Sequence, residues 1–583
     1  MKIKRRKTEK NHLTMLLCCL FLANCMAINR QESQSDEENN APVNNTATGK
    51  PKQTIYLNTV NDYQYPPSSE IYPGSMKTTE IVLSHRENAK PKQSAADDMA
   101  FTGTAFTDTR FLEFKLDNDL QVFFLPRQGL PVVSVSAIIA AGKHHTDDID
   151  ELLSPLLLKL LKQGTKKYPR TEFQRRAALL GEPMTYRQTS RYSIISAEIL
   201  PQDLALALEL ISQQLAYINP EENAIRKIIE QQLLENKLAQ FSGFYLAKQL
   251  FYQNNYAPDH FYFYQEPTAA QIKSVSKKQL INLYQKKYLP EKSKLFIAGD
   301  IEPNNLQQQI KKYFSGWSAK KPKKDNGSTS RMTNTENIKV SPDAQNTLKN
   351  QTSRIDLINR KGASQADILF GVVTVPGVVT LPGVVTISDP EGTPGALTRN
   401  KISSDWIGLK ILASLLGGGP SSRLFVDLRE KQGLTYVISA RQIAGEYRSP
   451  FFIQTSVAHD KVVRTISGIK KHLDYLCQHK VDDTELKLVK QQLTGEIAFQ
   501  FQTNPQWVNN KIHQVEIGLP DDYISDMIRQ IKSFTPEQLL LIANNYICAT
   551  HNVIVVGEQG QLEEDLLRQF NDYRYQLHSL PLQ

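Results

Sequence analysis

The twenty residues from Gly417 to Tyr436, GGGPSSRLFVDLREKQGLTY, carry the two side chains best placed to act on a ligand, Arg429 and Tyr436. Arg429 supplies a permanent cation with a rigid fork of N–H donors, and Tyr436 a hydroxyl that can donate or accept. Gly417, Gly418 and Gly419 suit a loop needing close backbone approach, and are expected to line the same binding surface. Ser421 or Ser422 is placed to cap the short helix that follows, and Gly433 to end it before a strand. A loop, helix and strand in that order can aim both side chains at one cavity. The plainer alternative is an Arg429 paired along its own helix with Asp427 or Glu430, and a Tyr436 packed within its strand.

Other reactive residue types offer less. His144 and His145 stand beside Asp147, but neighbours in a strand point to opposite faces, and Asp147-Asp148 reads as a solvent-facing turn. His472 and His479 lie two turns apart on an expected helix, too far to share an ion. Of the five cysteines, Cys18, Cys19 and Cys25 lie in or beside an N-terminal apolar run. Cys477 and Cys548 remain in the body and read as buried small hydrophobes rather than a bridge.

Several elements must position the Arg/Tyr segment. Phe111 to Lys115 and Val122 to Leu125 flank an Asp-Asn-Asp turn as a hairpin, and Val133 to Ile139 alternates as a strand. Ser154-Pro155 reads as an N-cap and first helical residue of a Leu-rich helix stopping at Gly164. Thr171 and Gln174 suit a capping box for a second helix ending at Gly181. Tyr192 to Leu200 reads as a strand, and Leu204, Leu208, Ile211 and Leu215 recur at helical spacing. Two long helices follow, then a strand from Leu295 to Ala298 ending in Gly299-Asp300.

Much of this pattern occurs twice. Gln271-Ile272-Lys273-Ser274, followed by Ser276 and Gln279-Leu280, recurs as Gln530-Ile531-Lys532-Ser533, followed by Thr535 and Gln538-Leu539. The strand ending Gly299-Asp300 recurs as Val553 to Val556 ending Gly557-Glu558, and Gly181 through Tyr186 matches Gly433 through Tyr436 in place. An Asp precedes a helix in both copies, at Asp203 and Asp460. The offsets are all about 250 to 260 residues, so two copies of one strand-and-helix unit account for the body. A polar stretch from Ala319 to Ser353 reads as the linker between them. Within the second copy, Val375-Pro376-Gly377-Val378-Val379-Thr380 repeats as Leu381-Pro382-Gly383-Val384-Val385-Thr386; its prolines oppose a central strand and predict an expanded loop or edge ribbon.

Composition sets the outer limits. The chain has 583 residues, too many for one ordinary core, and its 40% hydrophobic and 22% charged shares are those of a globular protein. The net charge of +9 carries no nucleic-acid inference, because six basic residues and one Glu crowd into Met1 to Lys10. Leu13 to Ala23 is too short and too early for a membrane-spanning helix and reads, with that basic start, as a secretory signal. Three fates stay open: lipidation at Cys25 in a lipobox-like Leu22-Ala23-Asn24-Cys25, cleavage after Ala27, or an uncleaved apolar start. The signal would occupy residues 1–27 and a polar tether residues 28–105, with lobes at 106–318 and 354–583 around a linker at 319–353. The address is then the periplasm, with membrane contact only through an anchor on Cys25.

The Gly417 to Tyr436 motif, the duplication and the Gly-Asp and Gly-Glu strand ends together resemble the pitrilysin/insulinase-like zinc peptidases, the inverzincins, from about Thr109 to Glu558. The resemblance implies an α+β fold of two homologous lobes, each a mixed β-sheet packed by α-helices, the LuxS/mitochondrial-processing-peptidase-like metallohydrolase fold. In that family a first-lobe helix bears H-x-x-E-H just before a Gly-Thr pair, with a distal Glu as third zinc ligand. Here Gly164-Thr165 anchors the comparison, and the motif positions read Pro155-Leu156-Leu157-Leu158-Lys159. Both imidazoles and the base are missing, and Lys159 would set a cation where the metal belongs. Glu230 and Glu235 are the candidates for the distal position, each otherwise a helix-surface charge. No metal is therefore expected in this chain; zinc is expected in a homologous partner subunit.

The family's Arg binds substrate carbonyls or carboxylate and its Tyr helps stabilise the tetrahedral oxyanion, roles that fall here on Arg429 and Tyr436. The template also lays peptide along an edge strand of the first lobe, which points to Tyr192 to Leu200. Split members divide the zinc motif and the Arg/Tyr motif between two polypeptides. The resemblance thus implies the non-zinc, substrate-positioning subunit of a heterodimeric periplasmic peptidase, with a peptide-binding pseudopeptidase scaffold as the rival reading.

Overall fold

The computed structural model describes residues 110–580, apart from 143–147, 259, 264, 319–352, 383–386, 389–393, 396–397 and 549. The expectations for the signal, Cys25, the tether, the linker, His144-His145 and part of the Val-Pro-Gly repeat fall outside the described residues. Among those described, no helix is long and apolar enough to cross a membrane.

Apolar alternation builds the first sheet. Strands β1 (Leu112–Lys115), β2 (Gln121–Pro126), β3 (Val133–Ile139), β4 (Thr185–Gln188), β5 (Ser193–Ile199) and β6 (Ser293–Gly299) lie in the order β1-β2-β6-β3-β5-β4. The second sheet is built from β7 (Arg354–Asn359), β8 (Ala366–Pro376), β13 (Thr435–Gln442), β14 (Arg448–Val457), β15 (Asn552–Gly557) and β16 (Arg574–His578). Their order is β13-β14-β8-β15-β7-β16. Five strands correspond one to one, including the parallel pairs β2/β6 and β7/β15. The sixth does not: β1 is an antiparallel hairpin partner at the start of its lobe, whereas β16 runs parallel to β7 from the far end of the chain. The duplicated α+β architecture implied by the sequence is the one observed.

Helices fill one face of each sheet. In the first lobe these are α1 (Asp148–Leu161), α2 (Arg170–Ala178), α3 (Leu204–Ala216), α4 (Glu222–Ala239), the short α6 (Ala269–Lys273), α7 (Lys277–Lys287) and α8 (Pro303–Phe314). The second lobe uses α9 (Ser404–Gly417), α10 (Val462–Gln478), α11 (Asp483–Phe499), α13 (Tyr523–Ser533), α14 (Pro536–Tyr546) and α15 (Gln559–Gln569). The repeated start signals work as capping boxes, Ser276 with Gln279 opening α7 and Thr535 with Gln538 opening α14.

Two helices cross over. From the first copy, α5 (Gly243–Asn255) sets Leu246, Leu250 and Phe251 against Leu369, Phe452 and Ile554 on the otherwise bare face of the second sheet. From the second copy, α12 (Asn504–Ile517) sets Val508 and Ile512 against Phe123, Ile138 and Phe296 of the first. Polar bonds finish each contact: Asn552 Nδ2 donates to Asn255 Oδ1 (3.0 Å), and Asn504 Nδ2 donates to the Val132 carbonyl (2.6 Å). Each lobe therefore completes the other's core.

Four expectations need correction. First, α1 runs straight through Ser154 and Pro155, and the Ser154 hydroxyl donates to the Ala141 carbonyl (2.7 Å) instead of capping. Second, α2 opens after Pro169 with no side-chain cap, so Thr171 and Gln174 form no capping box. Third, the strand within Tyr192 to Leu200 is interior, paired on both sides; the edge strand is β4. Fourth, Cys477 and Cys548 form a disulfide, Cα atoms 6.0 Å apart, tying the end of α10 to the end of α14. Residues on neighbouring helix ends met in space, which their separation of 71 along the chain does not reveal. The expected ribbon is present: β8 gives way at Gly377 to β9 (Val378–Pro382), paired with β12 (Thr398–Ile402), and β10 (Ile387–Ser388) pairs with β11 (Pro394–Gly395) beyond it.

Closing a long loop in the unfolded chain is the disulfide's main contribution, so Cys548→Ser should lower unfolding stability by about 2–4 kcal/mol. Urea melts with and without reductant check this; identical melts would mean that the bridge is absent in solution.

Candidate functional site

The glycine run works by close packing at one end and left-handed backbone at the other. Gly417 closes α9 against β13, where an added Cβ would lie 2.4 Å from the Ala440 amide nitrogen; Gly418 is exposed and Gly419 half-exposed. Gly433 has φ +60°, and Gly181 before β4 has φ +84°, so the same left-handed turn feeds the edge strand of each lobe. Between Gly419 and Gly433 the expected serine cap is absent: the Ser422 hydroxyl donates back to the Gly419 carbonyl (2.6 Å).

The helix itself is wider than expected. Phe425–Lys431 winds as a π-helix, with the Gln432 amide bonding the Asp427 carbonyl (3.1 Å). Past Gly433, the β13/β14 pairing shifts register between Thr435 and Ile438. This bulge releases two residues from the ladder, leaving Tyr436 78% and Val437 58% exposed.

These distortions bring Arg429 and Tyr436 together. The Arg429 Cζ lies 4.7 Å from the centre of the Tyr436 ring and 4.4 Å from that of Phe425. Pairing with Asp427 does not occur, because that carboxylate accepts from Gln432 Nε2 (3.0 Å) and meets His472 Nε2 (2.7 Å). Burial pushes the Asp427 carboxyl up, but the bonds from Gln432 and His472 outweigh it and hold the group below its ordinary value. Among the described residues the Arg429 guanidinium has no hydrogen bond or ion pair, although its carbonyl accepts from the Gly433 amide (3.0 Å). His472 thus serves the helix that carries Arg429, and His479 stacks on Tyr475.

The first lobe holds a different arrangement at the matching place. Leu156, Leu157 and Leu158 are buried in its core. Lys159 Nζ donates to Gln232 Oε1 (2.8 Å) and ion-pairs with Glu235 on α4. The ammonium thus spans the two helices that would have to share a metal. These residues do not fit zinc: an aliphatic proline, an aliphatic leucine and a cation stand where donors would be needed, and of the two candidate carboxylates Glu235 is paired with Lys159 and Glu230 is exposed. Among the described residues, no three His, Cys, Asp or Glu side chains are grouped to hold a metal. A cation over a tyrosine recurs even here, with Lys162 Nζ 4.7 Å from the ring of Tyr186, second residue of β4 as Tyr436 is of β13. Burial raises the Tyr186 hydroxyl to about 12, and it accepts from Gln214 Nε2 (2.7 Å).

A cavity of about 290 Å³ lies away from both places, between the start of the first lobe and α12–α13, among Phe111, Trp507, Lys511 and Tyr523. Its lysine is engaged by Asp521 (3.2 Å) and Glu113 (3.6 Å). Sequence reasoning missed Phe425 and the Asp427–His472 pair. Phe425 stands four residues before Arg429, a spacing that could have flagged a stacked pair; nothing along the chain links Asp427 to His472.

The chain is similar to known proteins in sequence and in fold. Residues 274–493 match the family model described as the peptidase M16 inactive domain. An uncharacterised zinc protease of Streptomyces coelicolor is 21% identical over 404 residues, 68% of this chain and 79% of the relative. The uncharacterised zinc protease YmxG of Bacillus subtilis is 20% identical over 74% of this chain and 94% of its own. Among solved structures, a peptidase M16 inactive domain from Pseudomonas fluorescens superposes with TM-score 0.61 at 17% identity, covering 77% of this chain and 98% of the other. The periplasmic protease PqqL of Escherichia coli gives TM-score 0.58 at 14% identity, over 77% of this chain and 45% of its own.

The Asp427 contacts carry a pH signature. A carboxylate held below its unfolded value of about 3.9 stabilises the fold above that pH and loses the contribution as pH falls through the folded value. Asp427→Asn should therefore be about 1 kcal/mol less stable than the parent at pH 7, with the gap closing in acid. Denaturant melts across pH check this; a gap that persists unchanged well below pH 3 refutes it.

Proposed function

Because this chain belongs to the peptidase M16 family, in its type without a zinc motif of its own, we propose that it is the substrate-positioning subunit of a heterodimeric periplasmic peptidase. Arg429 and Tyr436 complete the active site of a homologous zinc-binding partner. The observation that carries the reading is the contrast between the lobes: Lys159 is neutralised by Glu235, while the Arg429 guanidinium has no acidic partner among the described residues and lies against an exposed tyrosine.

In this reading Arg429 grips a carbonyl or carboxylate of the bound peptide through its N–H fork, and the Tyr436 hydroxyl donates to the oxyanion that forms at the attacked carbonyl. The bulge at Tyr436-Val437 supports that role by turning the phenol outward from an edge strand. Gly418 and Gly419 offer backbone beside the peptide; Gly417 serves by letting α9 meet β13. The partner, not this chain, supplies zinc.

Three features support a periplasmic address. Residues 1–27 read as a secretory signal, with Cys25 in a lipobox-like setting for a lipid anchor. Its disulfide suits an oxidising compartment, and PqqL, of similar fold, is a periplasmic protease. The rival reading, a peptide-binding scaffold, leaves out catalysis and makes Arg429 and Tyr436 dispensable for any cleavage.

Co-purification with a homologue bearing H-x-x-E-H, followed by peptidase assay and metal analysis, tests the proposal. Cleavage is expected only from the mixture, with metal in the partner. Arg429→Ala and Tyr436→Phe should each lower kcat by about a hundredfold. Metal-dependent cleavage at full rate by this chain alone, or variants as active as the parent, would refute it.

A further inference from the structure

The Arg429 guanidinium lies against two aromatic rings and, among the described residues, ion-pairs with no carboxylate. Phe425 packs on the second-lobe core, whereas Tyr436 is 78% exposed, so Phe425 is the fixed wall beside the guanidinium. Phe425 stands four residues before Arg429 on the same helical segment, a spacing that sets two side chains over one another. Rings against the guanidinium leave its in-plane N–H edge as the open side. That edge matches the two oxygens of a carboxylate, and with Asp427 committed to Gln432 and His472 the charge is left for a ligand to neutralise.

We propose that Phe425 is a positioning residue that, together with Tyr436, holds the Arg429 guanidinium edge-on for a peptide carboxylate, giving this subunit a preference for acidic over neutral peptide groups. The inference rests on Arg429 being a substrate-binding residue. The carboxylate can be the free C-terminus or an acidic side chain; both offer the same two oxygens.

Fluorescein-labelled decapeptides of Ala, Leu, Lys, Phe and Ser separate the cases, prepared as the free acid, as the C-terminal amide, and as the amide with one internal Glu. Anisotropy titrations use the full chain. At least one carboxylate-bearing peptide should bind about tenfold more tightly than the plain amide. Whichever does so identifies the source of the carboxylate. The preference should be lost in Phe425→Leu and in Arg429→Lys, and restored in Phe425→Tyr, with thermal melts confirming folding. Should Phe425→Leu not fold, Arg429→Lys and Phe425→Tyr still decide. Equal affinity for all three peptides, or no binding of either carboxylate peptide, overturns the proposal. Full preference in folded Phe425→Leu overturns the role of Phe425 alone, whereas unchanged binding in Arg429→Ala removes the reading of Arg429 on which it rests.

Discussion

The structure depends on a reciprocal exchange of helices. Each sheet has one face covered by its own helices and one face that is apolar and bare, and a sheet with an uncovered apolar face cannot stay in water. The first copy covers the second sheet with α5, and the second copy covers the first with α12. Side chains such as Phe251 and Val508 are wholly buried there, each contributing on the order of 1.5–3 kcal/mol through water exclusion. Neither lobe has a finished core without the other, so the edge strands β4 and β13 are held within one framework.

Within that framework the two lobes treat positive charge in opposite ways. The first neutralises Lys159 between α1 and α4, so a place where a metal site could have been built is closed by an internal ion pair. The second ties Asp427 to His472 and Gln432, which removes the acid that could have quenched Arg429. One cation thus holds helices together and the other has no ion pair among the described residues. A left-handed glycine and a Thr-Tyr pair start the edge strand in both lobes, but only the second adds a π-turn before the glycine and a bulge after it, so backbone and partners both differ.

The duplication is also where the copies diverge. The second sheet takes its sixth strand from the end of the chain rather than from a hairpin at the start, and its β8 extends into a ribbon that the first lobe lacks among the described residues. The bridge between Cys477 and Cys548 belongs to the second lobe alone, joining α10 to α14 among the helices that pack on the second sheet.

Local signals in the sequence determined a good deal. Apolar patterning marked β3 and the strand at β5, and ordered repetition marked two copies of one unit, including the Ser276/Gln279 and Thr535/Gln538 pairs whose capping role the structure supplied. Where the resemblance places a zinc motif, the sequence itself shows Pro155 to Lys159 without an imidazole. What only the tertiary structure decided involves partners far apart in the chain. The Cys477–Cys548 bridge, the Asp427–His472 contact, the Lys159–Glu235 pair and the interior place of β5 all arise when separate elements meet. Local rules also failed where tertiary packing overruled them, as when α1 absorbed Pro155 and when Ser422 turned its hydroxyl back to Gly419. Sequence named Arg429 and Tyr436; it took a π-turn and a β-bulge, neither of which has a spacing signature, to bring the guanidinium onto the ring.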